Sequence, residues 1–217
     1  MKARQGLALQ ATILAILFAA SGRADEREVS VPSAQSTQAK VRFCQDCHGS
    51  SGQGYRGVFP IPRLAGQTTV YIESQLQEFV EGRRGGNVAS ILSKTHALSP
   101  PLRSALAAHF AALNAEPIGG APRRLVDEGK KIYQEGVPDA GVPACSLCHG
   151  QNAAGSDANA RLAGQLYPYT VKALANWSTD RELGASGKDS SDAMAAIAKG
   201  MTRQQIEAVA AYLSYLK

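Results

Sequence analysis

Methionine, tryptophan and cysteine are all scarce in this 217-residue sequence, which has three methionines, one tryptophan and four cysteines. The methionines are Met1, Met194 and Met201, so the first half of the chain has none beyond its initiator. Outside one N-terminal stretch, no apolar run approaches the roughly 20 residues that span a bilayer as a helix. Hydrophobic residues make up 44% of the chain and charged residues 19%. This composition excludes collagen-like, disordered and disulfide-dense chains, and it predicts one or two compact domains.

The N-terminal stretch has the pattern of a secretory signal peptide. Lys2 and Arg4 precede an apolar segment from Leu7 to Ala20, and small residues follow it. A basic start, a short apolar segment and small residues at the cleavage site are typical of such leaders. The alternative, a retained membrane anchor, is disfavoured because the segment is shorter than a bilayer span. We therefore predict that residues 1–24 are removed on export and that the mature chain has no integral membrane span.

The charge of the mature chain is nearly balanced. Residues 1–24 hold three of the 23 basic residues and none of the 18 acidic ones, so their removal lowers the net charge from +5 to +2. Binding to nucleic acid requires a basic excess that neutralises phosphates. Neither half of the mature chain has such an excess, and we predict no nucleic-acid partner.

All four cysteines fall in two copies of one motif, C-x-x-C-H, at 44–48 and 145–149. This motif is the attachment signature of c-type haem, because two thiols three positions apart can reach both vinyl groups of one porphyrin while the adjacent histidine ligates its iron. The sequence therefore predicts two covalently bound haem c groups. The predicted attachment residues are Cys44, Cys47, Cys145 and Cys148, and the predicted proximal iron ligands are His48 and His149.

Three other kinds of site could use the same cysteines. The two C-x-x-C pairs are compatible with a zinc site, with a redox dithiol or with disulfides. Each of these alternatives leaves His48 and His149 without a role. A thioredoxin-type dithiol also belongs to a strand-rich context that the sequence lacks. The haem interpretation explains all six residues.

A second repeated motif indicates that the chain is a tandem duplication. The pentapeptide R-L-A-G-Q occurs at 63–67 and again at 161–165, and a large aromatic residue, Phe79 or Trp177, stands twelve positions after each glutamine. Self-similarity of this kind indicates repeated structural units. The predicted boundaries are a first domain over 25–116, a linker rich in proline and glycine over 117–123, and a second domain over 124–217.

The apolar residues of each repeat recur at helical spacing. Leu106, Phe110 and Leu113 share one helical face, and the second repeat has the same pattern. Further helices are predicted at 36–43 and 124–134, before the two haem motifs, and strand-type alternation is not evident. These patterns predict an all-α fold. A domain of roughly 90 residues is small for its own apolar core, and a porphyrin would supply the missing apolar mass.

Together these features resemble the dihaem cytochrome c4 family. The resemblance rests on the duplicated C-x-x-C-H-G, the duplicated R-L-A-G-Q and the run from Met194 to Leu213, and it covers nearly all of the mature sequence. It implies an all-α fold of two tandem class I cytochrome c domains, each wrapped around one covalently bound haem. It further implies a periplasmic electron carrier, not an enzyme, that transfers single electrons between redox proteins such as a dehydrogenase and a terminal oxidase. The alternative function is that of the electron-accepting cytochrome subunit of a sulfur-compound dehydrogenase, which has the same two-domain body.

The resemblance implies that Met194 is the distal iron ligand of the second haem. Met201 is the alternative ligand, but it matches Leu98 of the first repeat and is expected to be a core side chain. A methionine opposite the histidine raises the reduction potential of a haem. The first domain departs from this pattern because it has no methionine. Its segment from Phe79 to Leu98 is also five residues shorter than the matching segment from Trp177 to Met201.

The position in the first domain that is equivalent to Met194 is Ile91, which cannot ligate iron. His96 lies in the shortened segment and is the predicted distal ligand of the first haem, since imidazole is a good haem ligand. The alternatives are that His96 only caps the next helix, that His109 or Lys94 ligates, or that the distal face is open. An open face would make a haem peroxidase or sensor the rival function. Ligation by His96 predicts that the first haem has a lower potential than the second.

The resemblance also implies two kinds of supporting group. A backbone carbonyl beside each R-L-A-G-Q motif, at Pro62 and Ala160, accepts the ring hydrogen of the proximal histidine and fixes the orientation of the ring. Arg63 and Arg161, which begin the motifs, are candidates for pairing with the haem propionates. The alternative for each is a solvated surface arginine.

Overall fold

The computed structural model describes residues 32–183 and 191–217, so the signal-peptide prediction for residues 1–24 lies outside the described residues. The α-helices in these ranges are α1 (Ala34–His48), α2 (Thr69–Val80), α3 (Ala89–Thr95), α4 (Pro100–Ala111), α5 (Val126–Glu135), α6 (Ser146–His149), α7 (Tyr167–Ala175), α8 (Ser191–Gly200) and α9 (Arg203–Leu213). Strand-like pairing in the described ranges is limited to isolated bridges, which confirms the predicted all-α fold. None of the helices described is long and apolar enough to cross a membrane.

The first repeat packs α1, α2 and α4 around one apolar core. Its buried members are Val41, Ile72, Leu106, Ala107 and Phe110. The helix predicted at 36–43 lies within α1, which begins after Ser33, because the Ser33 hydroxyl accepts the N–H of Ser36 as an N-cap. The helix then continues without a break through the first C-x-x-C-H motif to His48. It therefore sets the position of the first haem-attachment residues directly.

The second repeat is built on a close crossing of α5 and α9. A side chain at Gly129 would collide with the backbone carbonyl of Ala208, so the two helix backbones pack directly against each other. Beside the crossing, the ring centroids of Tyr133 and Tyr212 lie 5.6 Å apart. The helix predicted at 124–134 is present as α5. Unlike α1, this helix ends before the haem motif, which lies on the separate short helix α6.

The two R-L-A-G-Q motifs fold in the same way. The glycine of each has a positive φ, +72° at Gly66 and +69° at Gly164, which favours glycine over other residues. Its N–H donates to a carbonyl oxygen of the last helix of its own repeat, Phe110 at 3.0 Å in the first and Leu213 at 2.9 Å in the second. The duplication in the sequence is therefore also a duplication of backbone hydrogen bonds.

The two repeats contact each other directly. The carbonyl oxygen of Arg83 accepts the N–H of Glu182 at 2.8 Å, and the N–H of Gly85 donates to the carbonyl oxygen of Asp180 at 2.8 Å. Each of these bonds joins the segment after α2 to the segment after α7. The repeats are thus held together by hydrogen bonds between them as well as by the chain that connects them.

Candidate haem-binding sites

The histidines of the two C-x-x-C-H motifs are held in the same way. The Nδ1 atom of His48 lies 2.9 Å from the carbonyl oxygen of Pro62, and that of His149 lies 2.8 Å from the carbonyl oxygen of Ala160. These contacts confirm the two predicted carbonyls. A carbonyl only accepts, so Nδ1 carries the ring hydrogen and Nε2 keeps its lone pair. Each ring is therefore oriented with Nε2 ready to ligate a metal, as outer-shell bonds do in metal sites.

Burial keeps both rings neutral. It lowers the pKa of His48 from 6.5 to about 4, and it also lowers the pKa of His149. A neutral imidazole is the form that binds a metal. Both histidines are therefore in the ligating form near neutral pH.

The thiols of the two motifs do not have the properties that the alternative sites require. All four cysteines are free, so they are not disulfide-bonded. Burial raises the pKa of the Cys145 thiol to about 11 and also raises the pKa of Cys44, whereas a redox dithiol has a lowered pKa. Within residues 32–183 and 191–217, no three histidine, cysteine or acidic side chains are grouped as metal ligands, which disfavours the zinc site.

Apolar surface adjoins one thiol of each motif. Cys44 packs against the core of the first repeat together with the partly exposed side chains of Leu76, Leu98 and Leu102. Cys145 packs in the same manner against the core of the second repeat. A porphyrin attached at these thiols would cover this surface and remove it from water. The apolar residues beside the thiols therefore suit the haem that the motifs predict.

Two arginines at the contact between the repeats are a second indication that the site suits a haem. Arg63 is only 4% exposed, which excludes the solvated-surface alternative for this residue, and its Nε donates to the carbonyl oxygen of Ala65. The Nε of Arg161 is buried without a hydrogen-bond partner. Burial lowers the pKa of both guanidinium groups, and the charge of Arg161 lowers that of Arg63 further. In the part of the chain that is described, neither has a carboxylate within ion-pair distance, and haem propionates would supply one.

Arg84 is a functional candidate that the sequence reasoning missed. It donates to the Oε1 of Gln75 at 2.5 Å and to the hydroxyl of Tyr169 in the other repeat at 2.8 Å. Its guanidinium also lies 4.6 Å from the ring centroid of Phe79. Phe79 also stacks on the ring of His96, so Arg84 and the predicted distal histidine contact the same aromatic ring. It is part of no repeated motif, and no local pattern in the sequence distinguishes it.

His96 lies at the end of a helix that the sequence pattern does not predict. It directly follows α3, and its Nδ1 lies 2.9 Å from the carbonyl oxygen of Leu92. Its ring stacks on Phe79 with 4.5 Å between centroids. Burial lowers the pKa of His96, which favours the neutral ring. Ile91, on α3, is 60% exposed.

The two candidate methionines differ in burial. Met201 is 8% exposed and belongs to a core cluster with Val142, Val171 and Ile206, which confirms its expected role as a core side chain. Met194 is half-buried on α8. The start of α8 is fixed by Trp177, whose Nε1 donates to the carbonyl oxygen of Ser191 at 2.9 Å.

His109, the weaker candidate for the first distal face, lies on α4. Its ring meets the edge of Phe110 with 5.1 Å between centroids. Its Nε2 is buried without a hydrogen-bond partner. The ring packs on its neighbour and keeps one nitrogen unpartnered, so ligation by His109 stays an alternative to ligation by His96.

The duplicated geometry is that of a dihaem c-type cytochrome. A family profile described as Cytochrome c matches residues 126–217. Cytochrome c4 of Stutzerimonas stutzeri is 31% identical over 192 residues, which cover 84% of this chain and 89% of that protein. The chain belongs to the cytochrome c4 family.

Two further comparisons agree with this family. The solved structure of cytochrome c4 from Acidithiobacillus ferrooxidans matches with a TM-score of 0.70 and 33% identity, covering 81% of this chain and 99% of that chain. The thiosulfate dehydrogenase electron acceptor of Thiomonas intermedia is 32% identical and covers 79% of this chain and 77% of that protein. The fold is accordingly two tandem cytochrome c domains. The chain carries two covalently bound haem c groups, at its two C-x-x-C-H motifs, and transfers electrons.

Proposed function

We propose that this chain is a periplasmic carrier that passes single electrons from a dehydrogenase to a terminal oxidase and has no enzymatic activity of its own. Its proposed parts are the signal peptide 1–24, the first domain 25–116, the linker 117–123 and the second domain 124–217. The proposed haem attachments are Cys44 and Cys47 in the first domain and Cys145 and Cys148 in the second. The proposed iron ligands are His48 and His96 for the first haem and His149 and Met194 for the second.

The observation that carries this proposal is the matched pair of histidine–carbonyl contacts. His48 and His149 each end a helix, and each presents Nε2 from a ring that is held at Nδ1 by a carbonyl oxygen. An electron carrier needs an iron site whose geometry changes little between its two oxidation states. A histidine ring that is fixed at Nδ1 would keep the ligand on one face of the haem in the same position. When bound, haem supplies a reversible one-electron iron couple.

His96 as the distal ligand is supported by its similarity to the proximal histidines. Its Nδ1 is within hydrogen-bond distance of a carbonyl oxygen, that of Leu92, and the stacked ring of Phe79 restrains the plane of the imidazole. Nε2 is then the nitrogen left for the metal. A histidine on both faces gives a lower potential than histidine with methionine, so electrons would run from the first domain to the second.

Met194 as the second distal ligand is supported by its place on α8. It stands in the fourth position of a helix whose start is tied to Trp177, and it is accessible enough to contact a bound group. Met201, the other methionine of the mature chain, is occupied in the core.

The proposal is tested on the processed holoprotein by haem analysis and a spectroscopic redox titration. We expect two haems per chain, both low-spin, and two separate one-electron waves. His96→Ala should make the first haem high-spin and able to bind carbon monoxide, whereas Lys94→Ala, a change at an exposed neighbour in the same segment, should change neither property. Tight binding of carbon monoxide by the unmodified protein would instead support the peroxidase or sensor function.

A second candidate function is supported by the similarity to the thiosulfate dehydrogenase electron acceptor. In that case the chain would accept electrons as a bound subunit of a sulfur-compound dehydrogenase. Purification of the tagged full-length chain from its own periplasm distinguishes the two functions. A stable complex with a dehydrogenase supports the subunit role, and a free carrier supports the first proposal.

A further inference from the structure

The glutamines that end the two R-L-A-G-Q motifs bind across the contact between the repeats. Gln165 accepts the backbone N–H of Arg63 on Oε1 at 2.9 Å. Its Nε2 donates to the backbone carbonyl oxygen of the same Arg63 at 3.1 Å. Both bonds connect the second repeat to the first, and Gln165 is only 7% exposed, so the bonds are shielded from water.

Gln67 makes the reciprocal pair of bonds. Its Oε1 accepts the backbone N–H of Arg161 at 2.6 Å, and its Nε2 donates to the carbonyl oxygen of Arg161 at 3.1 Å. Gln67 is 5% exposed. The two motifs therefore bind each other with two bonds in each direction, four in all.

One bond of each glutamine, the one that its Oε1 accepts, comes from the peptide group that holds a proximal histidine. The peptide between Pro62 and Arg63 accepts the ring hydrogen of His48 on its carbonyl oxygen and donates its N–H to Gln165. In the second repeat the peptide between Ala160 and Arg161 likewise joins His149 to Gln67. One amide group thus connects each proximal histidine to a glutamine of the other repeat.

We propose that Gln165 and Gln67 are positioning residues that act on the proximal histidine of the opposite domain, His48 and His149 respectively. This inference rests on the proposed function, because it takes these two histidines as iron ligands. Neither glutamine contacts the histidine itself. Each acts through the single peptide group between them.

The direction of the effect follows from hydrogen-bond cooperativity. Accepting the N–H of a peptide polarises that amide and makes its carbonyl oxygen a stronger acceptor. A stronger acceptor draws the ring hydrogen of the histidine and makes Nε2 a more basic ligand. A more basic ligand favours the ferric iron, so each glutamine lowers the reduction potential of the haem in the other domain.

The glutamine oxygens are themselves fixed in place. The Oε1 of Gln165 also accepts the N–H of Leu166, and the Oε1 of Gln67 also accepts the N–H of Thr68, each at 3.0 Å. These bonds tie the amides to the residues directly before α7 and α2. A fixed acceptor holds the shared peptide in one plane, and with it the plane of the histidine ring.

The test uses Gln165→Leu and Gln67→Leu in the holoprotein, because leucine keeps most of the buried volume and removes the amide. Haem signals in the NMR spectrum are assigned to a domain by their contacts with assigned residues. We expect Gln165→Leu to raise the potential of the first haem and to speed exchange of the His48 ring hydrogen about tenfold, the factor expected for one lost hydrogen bond. Gln67→Leu should do the same to the second haem and His149.

Lys172→Met is the matched control. Lys172 of the second repeat lies 3.6 Å from the ring centroid of Phe59 in the first, so the substitution weakens a contact between the repeats without touching either shared peptide. It should leave both potentials unchanged. Equal shifts of both haems, a shift confined to the domain of the substituted glutamine, or no shift in either variant would overturn the proposal.

A measurement on the unsubstituted holoprotein keeps the proposal testable if a leucine variant does not fold. Scalar coupling through the hydrogen bond between the Arg63 nitrogen and the side-chain carbonyl of Gln165 should be detectable by NMR. On stepwise reduction, the Gln165 side-chain signals should move with the first haem and those of Gln67 with the second. The opposite assignment, or absence of the coupling, overturns the proposal. A haem count other than two, or a proximal ligand other than histidine, is measured independently and would instead count against the proposed function.

Discussion

The hydroxyl of Tyr133 on α5 donates a 2.6 Å hydrogen bond to the carbonyl oxygen of Gly150, the residue that follows the second C-x-x-C-H motif. Tyr133 has no exposed surface. In the second repeat the haem motif is not part of the preceding helix, so this bond ties the motif to the core in a way that the first repeat does not need.

We therefore expect Tyr133→Phe to destabilise the second domain. The substitution removes one hydrogen bond, which contributes about 0.5–1.5 kcal/mol net, while the Gly150 carbonyl keeps the N–H of Ala153 as its other donor at 3.0 Å. Denaturant unfolding of the holoprotein, followed at the second haem, measures the change. Tyr212→Phe, in the neighbouring ring, is the control and should cost less, since no hydrogen bond of its hydroxyl is seen among the described residues. An equal decrease in the free energy of unfolding of the two variants would contradict the prediction.

The crossing of α5 and α9 should be intolerant of any side chain at Gly129. A methyl group there would meet the carbonyl oxygen of Ala208, and because both partners are backbone, one helix would have to move. Overpacking of this kind costs about 1–3 kcal/mol or more. Gly129→Ala should therefore lower the unfolding free energy by at least this amount in calorimetry or denaturant titration. Lys130→Ala, at an exposed position of the same helix, should change it by less than about 0.5 kcal/mol.

Met194 and Met201 should respond differently to truncation. Met201→Ala removes a buried core side chain and should cost about 2–5 kcal/mol, while the methionine-to-iron charge-transfer band of the ferric protein is retained. Met194→Ala should abolish that band with a smaller loss of stability, because its side chain is only half-buried. Absorbance spectra and denaturant unfolding of both variants test the assignment. Loss of the band in Met201→Ala would reverse it.

Arg84 should raise the potential of the first haem. Arg84 is partly buried and contacts the Phe79 ring on which His96 stacks, and a cation beside the first haem would favour its reduced, less positive state. Arg84→Gln should therefore lower the midpoint potential of the first haem in a spectroscopic titration. The exposed Arg42, in the same domain, provides the control, and Arg42→Gln should shift this potential much less. An unchanged potential in Arg84→Gln would place this cation too far from the first haem to matter.

The carbonyl contacts of His48 and His149 were predictable because they depend on short motifs. C-x-x-C-H places the thiols and the histidine within one helical turn, and R-L-A-G-Q marks the carbonyl that meets the ring, so both contacts could be predicted from short motifs. The roles of Gln67 and Gln165 could not, because their partners lie in the other repeat and spacing along one repeat does not show which surfaces meet.

Other features depended on packing in the same way. The short helix α3 before His96 was not predicted, since a helix of seven residues has little intrinsic stability and forms through tertiary contacts. The burial of Arg63 was left open because an arginine at the start of a loop is usually solvated. Each of these features depends on contacts between segments distant in the sequence.

The backbone bonds between the segments at 83–85 and 180–182 give the two domains a fixed separation. Transfer between the haems then requires no domain rearrangement, and its rate should be insensitive to solvent viscosity. A carrier built this way can hold one electron in each domain at the same time, so it can accept a second electron before it has delivered the first.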